Sequence, residues 1–196
     1  MIELCAASEN DVVLAFLQAE INSPKWGPHY QEAMRTRGLA RASLIDAADL
    51  SEAQANRHRI GLLGDVRGFG RDAGLFQGFP RDVEWRLAVI EPPDFLRLKY
   101  ISNDAGWLEL SGGTRLVQGG ARNLESNGRI ATDVRRTRHE IEQGRCTAAL
   151  ILVEAGGDDM VIVEGHTRAT AYAVLADRPF NAFIGASPLM SRWAFI

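Results

Sequence analysis

The stretch that decides the fold is residues 148–175, which read AALILVEAGGDDMVIVEGHTRATAYAVL. Two apolar runs, residues 148–153 and 160–163, are separated by the six residues EAGGDD. Apolar runs of this length on either side of a glycine-containing turn predict an antiparallel hairpin. An alanine-rich segment follows directly and predicts a helix that extends to Leu175. We therefore expect a hairpin that leads straight into a helix.

Around this stretch, strand and helix patterns alternate. DVEWRLAVI (82–90) and FNAFIGA (180–186) predict strands, DFLRLKYI (94–101) a short helix, and residues 123–143 contain a helical pattern. GWLELSGGTRLVQGG (106–120) reads as a loop, residues 11–63 as helical, and the glycine-dense residues 61–80 as irregular. The pattern predicts an α+β fold, a mixed sheet with flanking helices. Residues 1–80 would form a helical N-terminal extension packed on a core of residues 81–196.

Composition and charge argue against several classes of protein. The 196-residue chain has a formal charge of −3, which argues against a surface dedicated to DNA. No apolar run approaches the roughly 20 residues of a membrane helix, and the first residues lack a signal-peptide pattern, so we expect a cytoplasmic protein. Cys5 and Cys146 form neither a disulfide framework nor a zinc motif.

The junction between hairpin and helix carries Glu164, Gly165, His166, Thr167 and Arg168, and all of these except Glu164 suit an anion. Gly165 permits the sharp turn, and the first amides of a helix have no internal partner and favour negative charge. The Arg168 side chain leans toward the helix start, where its planar fork suits two phosphate oxygens. His166 and Thr167 add further donors. The junction therefore predicts phosphate binding.

Glu164 conflicts with a bound phosphate, because two anions about 4 Å apart repel each other by roughly 1 kcal/mol in water and about 4 kcal/mol at an intermediate dielectric. Three interpretations stay open. Glu164 holds a magnesium ion between the two anions. Alternatively, Glu164 accepts a proton from a substrate hydroxyl. In the third interpretation it only caps the helix, and no phosphate binds.

The segment IVEGHTRATAYAVL (162–175) resembles the motif of the ParB/sulfiredoxin-like superfamily, a hairpin that enters a helix through a G-x-x-R or G-H-x-R turn. It is most similar to the D-G-H-T-R form of the ATP- or ADP-dependent free-serine kinases, with Glu164 in place of Asp. The resemblance covers the layout of about residues 83–184, and the close match is confined to residues 148–175.

The resemblance implies a nucleotide, with Mg²⁺, held by Gly165, His166, Thr167 and Arg168, and catalytic roles for Glu164, His166 and Arg168. The turn has no cysteine, which excludes the sulfinic-acid repair of sulfiredoxins. Because 21 residues follow Leu175, we expect no helix-turn-helix after the motif, and specific DNA binding is not expected.

A second candidate segment is ELSGGTR (109–115). Consecutive amides near its two glycines can form an anion-binding nest, and Ser111, Thr114 and Arg115 are the candidate contacts to a second substrate. The alternative is a loop whose glycines only let the chain turn.

Three functions remain open at this point. The first is transfer of a phosphoryl group from ATP or ADP to a small hydroxylated or amino-acid-like molecule. The second is a non-catalytic module gated by CTP or ATP, and the third is an interaction protein that binds no nucleotide. A homodimer is compatible with each.

Overall fold

A six-stranded mixed sheet forms the centre of the computed structural model, which describes residues 1–124, 128–145 and 148–196. The strands are β1 (Ile2–Ala7), β2 (Glu84–Ile90), β3 (Leu98–Lys99), β4 (Leu150–Glu154), β5 (Met160–Glu164) and β6 (Phe180–Ala186). Their spatial order is β1-β2-β6-β4-β5-β3. The pairs β6–β4 and β5–β3 are parallel, and the other three neighbouring pairs are antiparallel.

The α-helices of the described residues flank this sheet. They are α1 (Glu9–Glu20), α2 (Gly27–Thr36), α3 (Ala53–Arg67), α4 (Ala105–Leu110), α5 (Val117–Arg122), α6 (Gly128–Glu142) and α7 (His166–Leu175). Helix α1 begins with a capping box in which Ser8 and Asp11 satisfy each other's backbone amides. A single π-helical turn (Ala42–Asp46) separates α2 from α3.

The two faces of the sheet bury two separate apolar clusters. Ile151 and Val153 of β4 pack with residues of α1–α3, whereas Leu150 and Leu152 pack with residues of α4–α7. This division follows from the two-residue period of a strand, which turns successive side chains to opposite faces. The result is three layers, with the sheet in the middle and helices on both sides.

Several predictions are confirmed. The 148–163 stretch forms the antiparallel hairpin β4–β5, α7 extends to Leu175, and residues 180–186 form β6. The mixed sheet with flanking helices agrees with the predicted α+β class. Helix α6 lies within the predicted 123–143, of which residues 125–127 fall outside the described residues, as does Cys146.

Other predictions are wrong. Residues 106–120 are not a loop but contribute to the two helices α4 and α5. Asp104 caps α4 by accepting hydrogen bonds from the amides of Gly106 and Trp107. Gly120 lies inside α5 at a position where a Cβ would clash with the Tyr100 hydroxyl. This glycine therefore permits close packing rather than a turn. The N-terminal region also begins with a strand, β1. Residues 61–67 complete α3 instead of opening an irregular passage.

Each helix of the described residues is too short or too polar to span a lipid bilayer.

Candidate functional site

Gly165 makes the junction between β5 and α7 in a left-handed conformation, with φ +103° and ψ 24°. A Cβ at this position would lie 2.8 Å from Cγ of Leu150, so both the dihedral angles and the space require glycine. The first helical hydrogen bond runs from the Ala169 amide to the Gly165 carbonyl, at 2.8 Å. The amides before it, from His166 to Arg168, have no side-chain cap within the described chain.

A cavity of about 990 Å³ lies in front of this helix start. Gly165, His166 and Thr167 contribute one part of its lining. The remaining lining comes from the end of α1 and the segment before α2, the end of α3, residues 74–75, residues of the 101–107 segment, α6, the end of β5 and Phe195. The cavity is therefore built by both segments of the predicted organisation, residues 1–80 and 81–196.

Arg67, the last residue of α3, brings a buried guanidinium to the cavity wall. Its Cζ lies 3.9 Å from the centre of the Trp26 ring and 5.9 Å from that of Phe16, and its side chain is 12% exposed. Nε is fully buried and has no hydrogen-bond acceptor among the described residues. Nε forms an ion pair with Oε2 of Glu20, at 3.6 Å, slightly beyond hydrogen-bond distance. A buried donor without a hydrogen-bond acceptor is rare in folded proteins, and an ordered water or a ligand can supply one.

Glu20, at the end of α1, faces the same cavity and is only 7% exposed. The Tyr30 hydroxyl donates a hydrogen bond to its carboxylate at 2.8 Å. Burial raises the pKa of Glu20 to about 7, against the opposing effects of Arg67 and Tyr30, and the nearby Glu164 adds to the rise. A carboxyl group with this pKa exchanges a proton readily at neutral pH.

His166 stacks with two aromatic rings at the helix start. Its centroid lies 5.9 Å from that of Tyr100 and 5.7 Å from that of Trp107. Desolvation lowers the pKa of His166 to about 4, so the imidazole is neutral at physiological pH. The Ile101 amide donates to its Nε2 at 3.4 Å, which leaves the ring's N–H on Nδ1. His166 can therefore donate one hydrogen bond but carries no positive charge.

Glu164 and Arg168 form an ion pair with each other, and both are largely buried. Arg168 Nη1 also donates to the carbonyls of Ala148 and Ala149, at 2.8 and 3.2 Å. The predicted position of Arg168, reaching over the helix start to an incoming phosphate, differs from the one observed. The reason is local: the turn at Gly165 places Glu164, the last residue of β5, beside the first turn of α7, where its carboxylate pairs with the Arg168 guanidinium.

The residues predicted to contact a second substrate form hydrogen bonds with the protein backbone instead. Arg115 donates to the backbone carbonyls of Tyr100 (2.9 Å), Ile196 (3.0 Å) and Phe195 (3.4 Å). Ser111 Oγ and Thr114 Oγ1 each bond to backbone atoms of their own turn. Neither they nor Arg115 line the cavity. Through Phe195, which does line it, Arg115 holds one edge of the cavity in place.

A preformed metal centre is not seen within the described ranges, where His, Cys, Asp and Glu form no cluster of three or more that could hold an ion. Glu164, the predicted magnesium ligand, lines the cavity with its carboxylate on Arg168. Mg²⁺ usually binds through one or two carboxylates together with substrate phosphates and water. Glu164 is one carboxylate of this kind on the cavity wall.

Comparison with protein-family models, with curated proteins and with solved structures found no match for this chain.

Sequence reasoning missed the contribution of Glu20, Tyr30 and Trp26. One signal was present: Glu20 continues the apolar stripe of Val12, Val13, Phe16 and Leu17 on α1, where a carboxylate is out of place unless it is partnered or functional. The sequence indicates Arg67 only as one of three arginines, with Arg71 and Arg81, of a possible lid over an anionic ligand, for which a surface loop is the alternative. Its burial at the end of α3 depends on how α3 packs against α1 and α2.

Proposed function

We propose that this protein binds a nucleotide in the cavity at the start of α7 and transfers a phosphoryl group from it to a small hydroxylated or amino-acid-like molecule. The assignment to a ParB/sulfiredoxin-like fold is part of this proposal. The succession of a hairpin, a left-handed glycine and a helix supports the proposal. A phosphate-binding turn needs a backbone of this shape, followed by helix amides that have no partner within the helix.

The observation that carries the proposal is the buried Arg67 guanidinium, on the wall of the cavity that α7 enters, whose Nε lies 3.6 Å from Glu20 and forms no hydrogen bond among the described residues. A cation on one wall and uncapped helix amides on another suit an anion with several oxygen atoms. A cavity of about 990 Å³ is at the large end of the range for small-molecule sites, which favours a ligand of nucleotide size or two ligands together.

Glu20 favours phosphoryl transfer over binding alone. As the acceptor hydroxyl attacks the terminal phosphorus, its proton passes to the Glu20 carboxylate, the new O–P bond forms and the bond to the leaving phosphate breaks. The leaving group departs with its negative charge, which Arg67 and the α7 amides stabilise. Positioning and electrostatic stabilisation supply most of the rate in this class of reaction. Mg²⁺, when bound with the nucleotide, would neutralise phosphate charge.

Binding is tested by calorimetry with ATP, ADP and CTP, each with and without Mg²⁺, on the wild type and on Arg67→Met. Charge-assisted hydrogen bonds contribute about 1.5–3 kcal/mol, so we expect the variant to bind about 10- to 100-fold more weakly. Arg57→Met is the matched control, because Arg57 lies on the exposed side of the same helix. Equal affinity of wild type and Arg67→Met for every nucleotide would remove the basis of the proposal.

Turnover is tested by following nucleotide consumption with and without pools of hydroxylated acceptors. We expect consumption that depends on an acceptor and falls at least 100-fold in Glu20→Gln, with nucleotide affinity retained. Binding without consumption under any acceptor would contradict transfer and support the nucleotide-gated module instead.

A further inference from the structure

A second cavity, of about 550 Å³, takes most of its lining from residues 69–81, and no described residue lines both this cavity and the one at the start of α7. Its volume falls within the range of small-molecule sites. The apolar residues of its lining are Ile60, Phe69, Phe76, Phe79, Pro80 and Leu189. The charged residues of its lining, all of them exposed, are Glu9, Asp72, Arg81 and Arg192. The second cavity therefore has an apolar interior and a charged mouth.

Three phenylalanine rings pack edge to face in the interior. The centre of the Phe76 ring lies 4.9 Å from that of Phe69 and 5.2 Å from that of Phe79, and both pairs of rings are inclined at 82°. Phe79 in turn packs edge to face against Trp193, with 5.5 Å between the ring centres. Because the rings support one another, an apolar group can enter an interior that is already formed.

Arg192 is brought to the mouth by close packing of the backbone. Gly78 has φ +72°, and a Cβ there would clash with the backbone carbonyl of Arg192. The next residue, Trp193, donates a hydrogen bond from Nε1 to the Leu75 carbonyl at 2.7 Å. The glycine-containing segment thus fixes the backbone position of Arg192 beside the phenylalanine rings.

The charged groups at the mouth do not form ion pairs with one another. Within the part of the chain that the structure describes, neither the Arg192 guanidinium nor the Glu9 carboxylate has a hydrogen-bond or ion-pair partner. Asp72 accepts a hydrogen bond from the Gly78 amide, and Arg81 donates one, at 3.4 Å, to a backbone carbonyl of its own segment. One cation and one anion at the mouth are therefore available to a ligand that carries both charges.

We propose that the second cavity binds a free amino acid with a large apolar side chain, of which L-phenylalanine is the probe. The α-carboxylate pairs with the guanidinium of Arg192, whose planar fork suits two carboxylate oxygens. The α-ammonium group pairs with Glu9, and the side chain lies among the three phenylalanine rings. The ligand is bound and not transformed, so this site is independent of the nucleotide and of phosphoryl transfer.

Calorimetry with L-phenylalanine tests the site on the full chain without any nucleotide, so its result does not depend on the function proposed above. We expect wild type to bind and Arg192→Met to bind about 10- to 100-fold more weakly, because the variant loses the charge-assisted hydrogen bonds to the carboxylate. Arg135→Met is the matched control, since Arg135 is exposed on α6 and lines neither cavity. A wild type that does not bind, or an Arg192→Met variant that binds as tightly as the control, would overturn the proposal.

Two analogues test the chemical class of the ligand. Glycine has both charges but no apolar side chain, and 3-phenylpropanoate has the ring and the carboxylate but no ammonium group. We expect each to bind wild type at least about tenfold more weakly than L-phenylalanine does. Similar affinity for all three compounds would contradict recognition of an apolar amino acid.

Glu9→Gln locates the ammonium group. We expect this variant to bind L-phenylalanine about tenfold more weakly and 3-phenylpropanoate as wild type does, whereas Arg192→Met should weaken both. Both substitutions change exposed side chains, and circular dichroism checks that the variants fold. If Glu9→Gln leaves the affinity for L-phenylalanine unchanged, the proposed orientation and the assignment to an amino acid are wrong.

Discussion

Replacing Glu20 with Gln offers a quantitative test of the cavity, because it removes one titrating group and keeps its size. In the folded protein the pKa of Glu20 is raised from 4.5 to about 7, mainly by burial, and the carboxyl is 7% exposed. A raised pKa means that the folded state holds the proton more tightly than the unfolded chain does. The stabilisation from this proton is fully present below pH 4.5 and is lost as the pH rises through about 7.

The size of the effect follows from the difference between the two pKa values. A difference of about 2.5 corresponds to about 3 kcal/mol of unfolding free energy at pH values above 7. Gln stays neutral and can still accept the Tyr30 hydrogen bond through its amide oxygen. The variant should therefore gain about 3 kcal/mol relative to wild type between pH 4.5 and pH 8.

Urea denaturation of both proteins across this pH range measures the difference directly. Other groups titrate in both proteins, so their contributions largely cancel in the comparison. A difference that stays constant with pH, or that falls as the pH rises, would refute the reasoning. Glu20 would then be ionised well below neutrality and poorly suited to accept a substrate proton.

Three further substitutions test the junction and its supports. Gly165→Ala imposes φ +103° on an L-residue and brings its Cβ within 2.8 Å of Leu150, so urea denaturation should show a loss of about 2–3 kcal/mol. Arg168→Met leaves Glu164 buried without its cation and should lower the free energy of unfolding by about 3 kcal/mol. Adding Glu164→Gln should restore most of this stability, and no recovery would contradict the ion pair. Arg115→Lys cannot bridge several carbonyls at once, so amide hydrogen exchange at residues 194–196 should accelerate about tenfold, and unchanged exchange would argue against the clamp.

The parts of the fold that depend on local sequence could be predicted. The hairpin β4–β5 is specified by two apolar runs around a glycine-containing turn, and α7 by the alanine-rich segment after it. The loop prediction for residues 106–120 failed because glycine was taken as a sign of turning. Gly120 instead lets α5 approach Tyr100, a requirement of packing that no local pattern carries.

The candidate site likewise has one part that follows from local sequence and another that depends on how the layers pack. Its left-handed glycine turn into α7 could be predicted because Gly165 and the helix start are contiguous in sequence. The pairing of Glu164 with Arg168 depends on the left-handed turn at Gly165, which brings the end of β5 beside the first turn of α7. Arg67 and Glu20 come from helices more than 90 residues before α7, and only the packing of the layers brings them to its start.

The central claim is that the anion's oxygen atoms lie between Arg67 and the start of α7. A crystal structure with a non-hydrolysable nucleotide analogue and Mg²⁺ tests it most directly. The account predicts phosphate oxygens within hydrogen-bond distance of the Arg67 guanidinium and of the amides at the start of α7. A nucleotide bound elsewhere, with Arg67 Nε still lacking an acceptor, would contradict it.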